Sequence, residues 1–437
     1  MRRDIDQTLV EWKNNPRRRP ILLRGARQVG KSYTVKEFGK KHFQNIVEID
    51  FELSPQYIDC FSTLEPEEIN QKISILVRQD IIANKTLLFF DEIQKCPQAI
   101  KSLRYYFEKI PKLHVIAAGS LIEFVLESEK LEIPVGRIQY LFMKPMSFGE
   151  FCMATGEDRL REKLGNVEFL QNIDDSIHIH AINLLNKYYI LGGMPAVVDE
   201  FRHSGNIRQC QRIQTAIIQT YRDDFGKYAS KLKHRYLEKV FLSVPKMVGN
   251  KFKYSHVDRD IPSRELKEAL ELLEKAYVLH CVKGTSSEGL PLEASTKQRH
   301  FKCIFLDIGL MQNMCGYSGD ILQSSDILSI HNGAIAEQFV GVELVTTTDP
   351  FIKPSLFYWF REAKSSNAEL DYCIAHGSKV VPVEVKSGPR GKLKSLNLFM
   401  TKYNTQKAVV ISQKKYLRDN DLFFLPLYSI ENLHKIL

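Results

Sequence analysis

With 44% hydrophobic and 26% charged side chains, the chain has the composition of an ordinary soluble globular protein. Its 437 residues are too many for a single hydrophobic core, so we expect two to four domains. Its formal net charge of +9 suggests an anionic partner, while eight scattered cysteines without a C-x-x-C pair argue against a zinc ribbon or a disulfide framework. Because the N-terminus lacks an apolar signal core and no apolar stretch reaches the length of a membrane span, we expect a cytoplasmic protein with no membrane association.

The first motif is GARQVGKS at residues 25–32, a complete G-x-x-x-x-G-K-[ST] phosphate-binding loop. An apolar run precedes it and a helix-compatible stretch follows, which is the strand–loop–helix context that the motif requires. Its glycines let backbone N–H groups approach an anion, and the helix N-terminus adds partial positive charge. We therefore predict ATP binding by Gly25, Ala26, Arg27, Gln28, Val29, Gly30, Lys31 and Ser32. Lys31 would reach the β- and γ-phosphates, and the Ser32 hydroxyl would bind Mg²⁺.

The second phosphate-site element is TLLFFDEIQ at residues 86–94, an apolar run that ends in two acids. A buried parallel strand ending in carboxylates is the geometry needed beside a phosphate loop. Asp91 would hold Mg²⁺ through water, and Glu92 would orient and activate the hydrolytic water. Helical spacing of apolar residues at 67–82 and 97–110 predicts crossover helices, and hence a parallel sheet covered on both faces.

Two further residues are candidates for sensing the nucleotide. A third strand, at 113–120, ends in Ser120, which in an additional-strand ATPase would touch the γ-phosphate or the attacking water. A simple turn is the alternative. Arg137 would stabilise transition-state charge in a neighbouring subunit of a homo-oligomer, or report the nucleotide state. An ordinary surface arginine is the alternative there.

Five stretches carry a resemblance to a known family: GARQVGKS, FFDEIQ, AAGS, the GR…L…P-SF-EF segment at 136–151, and YYILGGMPAVV at 188–198. The chain resembles the prokaryotic AAA-type ATPases that carry a C-terminal domain of unknown function related to restriction endonucleases. The last two stretches are the most family-specific, because elementary physics alone gives no reason for them. The resemblance covers nearly the whole chain and implies an α/β multidomain fold.

The implied parts follow one another along the chain. We predict an additional-strand P-loop ATPase core at 1–155, a helical segment at 156–235, a winged-helix-like segment at 236–290 and a restriction-endonuclease-like α/β domain at 291–437. In the third part, an amphipathic helix after Ser263 and the run YVLHCVK suggest helices followed by a ribbon. Such modules bind DNA or act as protein–protein spacers, and the sequence leaves both open.

The C-terminal stretch ELDYCIAHGSKVVPVEVKSG predicts a β-hairpin with a turn at 376–378. Side chains alternate along a strand, so Glu384 and Lys386 share one face, and Asp371 would project towards them from the partner strand. Two carboxylates can bind one or two Mg²⁺ ions, which polarise a phosphodiester and lower the pKa of a bound water. Lys386 would position or deprotonate that water, or stabilise the phosphorane charge.

This D…E-x-K arrangement resembles the PD-(D/E)-x-K superfamily of nucleases. The resemblance also implies an acid on the preceding helix, where the sequence offers Glu337, so the implied metal ligands are Glu337, Asp371 and Glu384. Leu370 stands where the family pattern has proline. An edge-strand ion pair is the alternative interpretation of E-x-K, and relatives of this fold include catalytically silent DNA-binding forms.

The charge distribution favours nucleic acid as a partner, with DNA as the expected form. Residues 379–416 hold nine Lys or Arg against one acid, Glu384, and a basic face beside a metal site suits a phosphate backbone. A solvated lysine-rich surface is the alternative. Three functions stay open: an ATPase coupled to a DNA-directed nuclease-like domain, an ATP-dependent DNA-binding switch with an inert C-terminal site, and an ATPase that acts on protein partners.

Overall fold

The computed structural model describes residues 1–120, 122–123, 136–228, 231–287, 289–316, 328–361, 368–386 and 393–437. They form two compact units. The N-terminal unit comprises Arg2–Lys144 and Asp349–Lys353, and the C-terminal unit comprises Pro145–Thr348 and Pro354–Leu437. Within these described ranges, no helix has the length and apolar character needed to cross a membrane.

A parallel five-stranded sheet forms the centre of the N-terminal unit. Its strands are β1 (Ile21–Arg24), β2 (Asn45–Asp50), β3 (Thr86–Asp91), β4 (His114–Ala118) and β5 (Gln139–Phe142). They lie in the order β2-β3-β4-β1-β5, and each pairing is parallel. Strand β4 separates the strand before the phosphate loop from the strand that ends in Asp91, which confirms the parallel P-loop-like sheet expected from the sequence. Both β3 and β4 are buried throughout, as strands covered on two faces must be.

The helices of this unit cover the sheet. They are α1 (Ile5–Asn14), α2 (Lys31–His42), α3 (Pro66–Val77) and α4 (Pro97–Lys109), with 3₁₀ turns at Pro55–Phe61 and Ile93–Lys95. Both α3 and α4 begin at a proline, which suits the first helical position because its missing N–H has no partner there. Ile73 of α3 and Leu103 of α4 are buried in the core that includes Phe90 of β3. The predicted crossover helices are therefore present.

A mixed eight-stranded sheet forms the centre of the C-terminal unit. Its strands are β6 (Leu279–Thr285), β7 (Thr296–Phe305), β8 (Leu356–Phe360), β9 (Glu369–His376), β10 (Lys379–Val385), β11 (Ala408–Ser412), β12 (Leu417–Asp419) and β13 (Leu422–Pro426). Their order is β12-β13-β11-β10-β9-β8-β6-β7. Strands β9 and β10 are antiparallel while β10 and β11 are parallel, so the predicted hairpin is confirmed within a larger mixed sheet.

The helices of the C-terminal unit come mainly before this sheet in sequence. They are α5 (Phe148–Ala154), α6 (Asp158–Leu164), α7 (Val167–Gln171), α8 (Asp175–Leu191), α9 (Pro195–Ser204), α10 (Ile207–Tyr228), α11 (Lys231–Met247), α12 (Tyr254–Val257), α13 (Ser263–Lys275), α14 (Ile308–Cys315), α15 (Leu328–Thr346), α16 (Lys394–Tyr403) and α17 (Leu433–Ile436), with 3₁₀ turns at Leu292–Ser295 and Leu427–Asn432. The run of helices from α5 to α11 agrees with the helix-rich segment expected after the ATPase core. Helix α15 carries Glu337, as predicted.

The predicted winged-helix-like segment joins the C-terminal sheet. Strand β6 pairs antiparallel with β7 and parallel with β8. The predicted boundary at residue 290 therefore falls between two hydrogen-bonded strands, and the restriction-endonuclease-like fold of residues 291–437 stays a prediction, as does the four-part division.

The two family-specific stretches, at 136–151 and 188–198, pack against each other, and this contact supplies the physical reason for them. The Met146 N–H donates to the Gly193 carbonyl at 2.7 Å, and the Tyr188 hydroxyl donates to the Met146 carbonyl at 2.7 Å. A Cβ atom on Gly193 would lie 2.0 Å from the Met146 oxygen. Only glycine permits this backbone approach, which explains the residue at position 193.

Buried carboxylates fix both ends of this contact. Asp307 accepts the Gly193 N–H at 2.6 Å and caps helix α14 by accepting the Leu310 N–H at 2.9 Å. Glu343 accepts the N–H of Phe148 at 2.9 Å. Because each carboxylate satisfies buried backbone donors, these acids are structural components of the C-terminal unit.

Candidate functional site

The loop between β1 and α2 has the backbone shape of a phosphate cradle. Gly25 has a φ of +138° and Gly30 a φ of +95°, conformations that L-residues with a Cβ rarely adopt. A Cβ on Gly25 would also lie 2.0 Å from the Met143 carbonyl oxygen. Gly30 directly precedes α2, so the loop leads into the N-terminus of a twelve-residue helix. Free N–H groups and the helix dipole there favour an anion.

Lys31 is held inside the loop. Its ammonium donates to the carbonyl oxygens of Gly25 at 3.0 Å and Ala26 at 2.7 Å. Burial lowers the pKa of Lys31 to about 8, although the carboxylates of Glu92 and Asp91 oppose the shift. Both of these acceptors are neutral carbonyls, and a phosphate oxygen would be a stronger acceptor for the ammonium.

The acidic pair at the end of β3 lies beside the loop. Burial raises the pKa of Asp91 above its ordinary value, and the interaction with the Ser32 side chain opposes this shift. Glu92 has a φ of +48°, a turn that few non-glycine residues adopt. Gln94 donates its side-chain amide to the Glu92 carboxylate. Hydroxyl and carboxylate oxygens at Ser32 and Asp91 are the donors that Mg²⁺ prefers.

The two predicted sensors occupy different surroundings. Ser120 is buried at the end of β4, and its hydroxyl lies 3.4 Å from the Nε of Arg27 in the loop. Arg137 is half-exposed and donates to Glu108 at 2.9 Å. The structure therefore brings Ser120 to the phosphate loop, whereas Arg137 lies at the surface of the unit in a surface ion pair. The sensor and trans-acting roles of these residues stay predictions.

A third support for the loop has no indication in the sequence. Arg3, in the segment before α1, donates to the Val29 carbonyl at 3.0 Å and the Lys144 carbonyl at 2.8 Å. Its guanidinium therefore ties the middle of the loop to the chain that follows β5. No motif spacing links residue 3 to residue 29, so only the folded chain shows this contact.

The second candidate site is an acidic cluster in the C-terminal unit, made of Glu337, Glu369, Asp371 and Glu384. Lys302 of β7 lies among these carboxylates, with its side chain only 1% exposed. Its ammonium is 2.9 Å from Glu337, 2.7 Å from Glu369 and 3.9 Å from Asp371.

The hairpin residues of the cluster lie as the sequence predicts. Asp371 also accepts the Val385 N–H at 2.8 Å. Lys386 donates to Glu384, so the predicted E-x-K neighbours are in contact. The sequence predicts this contact, whereas Lys302 and Glu369 do not belong to the site that it predicts.

Burial and mutual repulsion govern the protonation of the cluster. Burial raises the pKa of Glu337 to about 7 against the opposing effect of Lys302. Burial and the neighbouring Asp371 raise the pKa of Glu384 to about 7. Burial alone would lower the pKa of Lys302, but Glu337, Asp371 and Glu369 together raise it above its ordinary value. The lysine therefore stays charged while two of the carboxylates titrate near neutral pH.

The cluster does not fit a divalent cation as it stands. Throughout the described part of the chain, no group of three or more His, Cys, Asp or Glu side chains is arranged to hold a metal ion. Here the Lys302 ammonium hydrogen-bonds two of the carboxylates, and it would repel an ion placed beside it. The metal-ligand role of Glu337, Asp371 and Glu384 stays a prediction that the position of Lys302 disfavours.

The lysines of the basic stretch at 379–416 fall into two groups. Four are exposed, Lys379, Lys394, Lys402 and Lys414, and of these Lys379 donates to the Gln406 side chain at 3.0 Å and Lys402 to the Tyr403 hydroxyl at 2.8 Å. The others that the structure describes have partners within the chain: Lys386 with Glu384, Lys407 with the Leu437 carbonyl, and Lys415 with Asp175 at 2.6 Å. Arg390 and Lys392 lie outside the described residues.

The loop geometry and the acidic strand end define the N-terminal unit as a P-loop nucleotide-binding domain. Residues 17–152 match the family model described as an AAA domain. Residues 182–320 match a domain of unknown function, DUF8612, and residues 332–430 match another, DUF4143. The AAA match supports ATP binding and an AAA-type ATPase domain at the N-terminal end.

Comparison with whole proteins adds little to this assignment. No curated protein matches the chain. Among solved structures, a single-site variant of RuvB from Thermotoga maritima is 15% identical with a TM-score of 0.27, and the match covers 63% of this chain and 88% of that one. This similarity is too low to support an inference about function.

Proposed function

We propose that the chain is an ATP hydrolase whose nucleotide state controls the binding of nucleic acid by its nuclease-like C-terminal unit. The observation that carries the proposal is the interaction of the Ser32 side chain with Asp91, which lowers the pKa of Asp91 against the larger effect of its burial. It joins the phosphate loop to the acidic strand end, which are the two halves of a Mg²⁺-nucleotide site.

Each loop-side residue has a role that fits its position. Lys31 would exchange the loop carbonyls for phosphate oxygens, and Ser32 with Asp91 would hold Mg²⁺. Bound Mg²⁺ would neutralise charge on the phosphates. Glu92 would accept a proton from the attacking water, with Gln94 fixing its orientation. Arg137 would leave Glu108 to reach a nucleotide in a second copy, which makes this role dependent on a homo-oligomer.

Nucleic acid as the partner is supported by the exposed lysines at 379, 394, 402 and 414. Lysine contacts to phosphates release counterions. The logarithm of the binding constant should therefore fall linearly with the logarithm of the salt concentration, with a slope of about −0.9 per contact on duplex DNA. Binding without cleavage is favoured over a nuclease, because Lys302 takes up the carboxylates that a metal would need. A coupled nuclease is the second candidate, carried by the contact between Glu384 and Lys386.

The first experiment measures ATP hydrolysis with and without DNA while the same DNA is followed for cleavage in Mg²⁺ or Mn²⁺. Stimulated hydrolysis without cleavage supports the binding switch. Cleavage that disappears in Asp371→Asn would establish the nuclease. Hydrolysis that is indifferent to DNA, together with absent DNA binding, would refute the nucleic-acid proposal and point to a protein partner.

A matched pair of charge reversals tests the surface. Lys394→Glu/Lys402→Glu should weaken DNA binding about tenfold or more and reduce the salt slope by about 2. Lys40→Glu/Lys41→Glu makes the same charge change on exposed residues of the N-terminal unit, and it should leave the slope unchanged. Equal effects of the two pairs would show that only net charge matters.

A further inference from the structure

A buried ammonium stands where the nuclease resemblance implies a metal ion. The Lys302 side chain is 1% exposed and reaches the carboxylates of two separate elements, Glu337 of α15 and Glu369 of β9. Two of its N–H donors are accounted for by these contacts, and Asp371 lies 3.9 Å away. The lysine therefore neutralises part of the acidic cluster from within the chain.

The contacts of Lys302 compete directly with metal coordination. Mg²⁺ binds carboxylate oxygens at about 2.0–2.1 Å and demands nearly octahedral geometry. The Glu337 oxygen that accepts the N–H of Lys302 already has the ammonium as its cationic partner, so its lone pair is not free for a metal ion. A metal ion bound to the same oxygens would face the ammonium at short range, with little solvent to screen the repulsion.

The rest of the cluster is also partnered by the chain itself. Asp371 accepts the backbone N–H of Val385, and Glu384 accepts from Lys386. Lys251 lies 3.6 Å from Glu369 on the exposed side, with 42% of its side chain accessible. Lys302 is thus distinguished from Lys251 by its burial between the predicted metal ligands.

We propose that Lys302 is a built-in counter-cation that replaces a divalent metal ion at Glu337, Asp371 and Glu384, so that this cluster binds neither Mg²⁺ nor Mn²⁺. Removal of the ammonium with the carboxylates left in place converts the cluster into a metal site. This inference concerns metal binding alone, and it does not depend on ATP hydrolysis or on nucleic acid.

The test counts Mn²⁺ ions bound per chain in nucleotide-free protein, from the loss of the free-ion electron paramagnetic resonance signal. Lys302→Met, which keeps an unbranched side chain one atom shorter and without the charge, should bind one more Mn²⁺ per chain than the wild type. The additional ion should disappear in Lys302→Met/Asp371→Asn. Lys251→Met removes the other lysine beside Glu369 and should match the wild type. A folded Lys302→Met protein with no additional ion would overturn the proposal.

A second measurement decides the question without the Lys302 variant, which carries unpaired buried acids and could fail to fold. Wild type and Asp371→Asn should bind equal numbers of Mn²⁺, because any ion at the phosphate loop is common to both. One fewer ion in Asp371→Asn would place a metal in the wild-type cluster and overturn the proposal. Where Lys302→Met folds, Mn²⁺ should raise its unfolding temperature more than that of the wild type, since binding stabilises the folded state.

Discussion

Replacement of Glu343 by glutamine should make the C-terminal unit more stable near neutral pH. The Glu343 side chain lies in α15, is 3% exposed and accepts the N–H of Phe148 at 2.9 Å. Burial raises its pKa to about 8, with Glu431 and Glu150 adding to the shift and Arg161 opposing it. Glutamine keeps an oxygen that accepts the same N–H, but it has no charge to lose.

The magnitude follows from the two pKa values of the carboxyl group. The unfolded chain releases the proton near the ordinary value of 4.5, whereas the folded chain keeps it until about 8. Between these values the folded state binds more protons, so a rise in pH removes stability at about 1.4 kcal/mol per pH unit. From pH 5 to pH 7 the wild type should therefore lose about 2.5 kcal/mol relative to Glu343→Gln.

Urea unfolding of both proteins at several pH values from about 3.5 to about 9.5 measures this difference directly. We expect the two curves to converge at the acidic end, where both folded and unfolded states carry a neutral side chain. Above pH 8 the gap should become constant, because the carboxyl group ionises in both states. A gap that does not change across the range would refute the assignment of a raised pKa to Glu343.

The remaining predictions concern the phosphate loop and the family-specific contact. Lys31→Ala should reduce ATP hydrolysis by about 10²-fold or more, measured as phosphate release, because it removes the ammonium that the Gly25 and Ala26 carbonyls hold inside the loop. Glu92→Gln should reduce kcat by about 10²–10³-fold with ATP binding retained. Gln94→Ala should reduce kcat only about tenfold with KM unchanged, because Gln94 orients Glu92 and does not take up the proton itself. Unaltered turnover in either variant would contradict these roles. Gly193→Ala should destabilise the C-terminal unit by about 3 kcal/mol or more, since the added methyl meets a backbone oxygen. Gly333→Ala, in open space on α15, should change its stability by less than about 1 kcal/mol.

The parts of the chain that sequence alone predicted well are those in which the motif is continuous. The phosphate loop, the strand ending in Asp91 and the hairpin with Asp371 each need only neighbouring residues to define them. Local spacing fixes which side chains share a face, so the contact between Glu384 and Lys386 followed from a period of two.

Contacts between distant segments were beyond such reasoning. Lys302 meets Glu337 and Glu369 because β7, α15 and β9 fold together, and no spacing relates the three positions. One signal was available, since Lys302 interrupts the apolar run at 301–306 and a lysine inside a buried strand needs a partner. No comparable feature of the sequence predicts the contact between Arg3 and Val29.

The hydrogen bond from Phe148 to Glu343 spans 195 residues of chain. A ribosome releases the Phe148 end of this bond long before the Glu343 end, and domains fold as their last segments emerge. The Gly193 N–H likewise lacks its acceptor until Asp307, 114 residues further along, has been synthesised. The segments around Phe148 and Gly193 consequently stay without their anchoring carboxylates while a further 195 and 114 residues are synthesised, and a nascent chain presents them to chaperones and proteases during that interval.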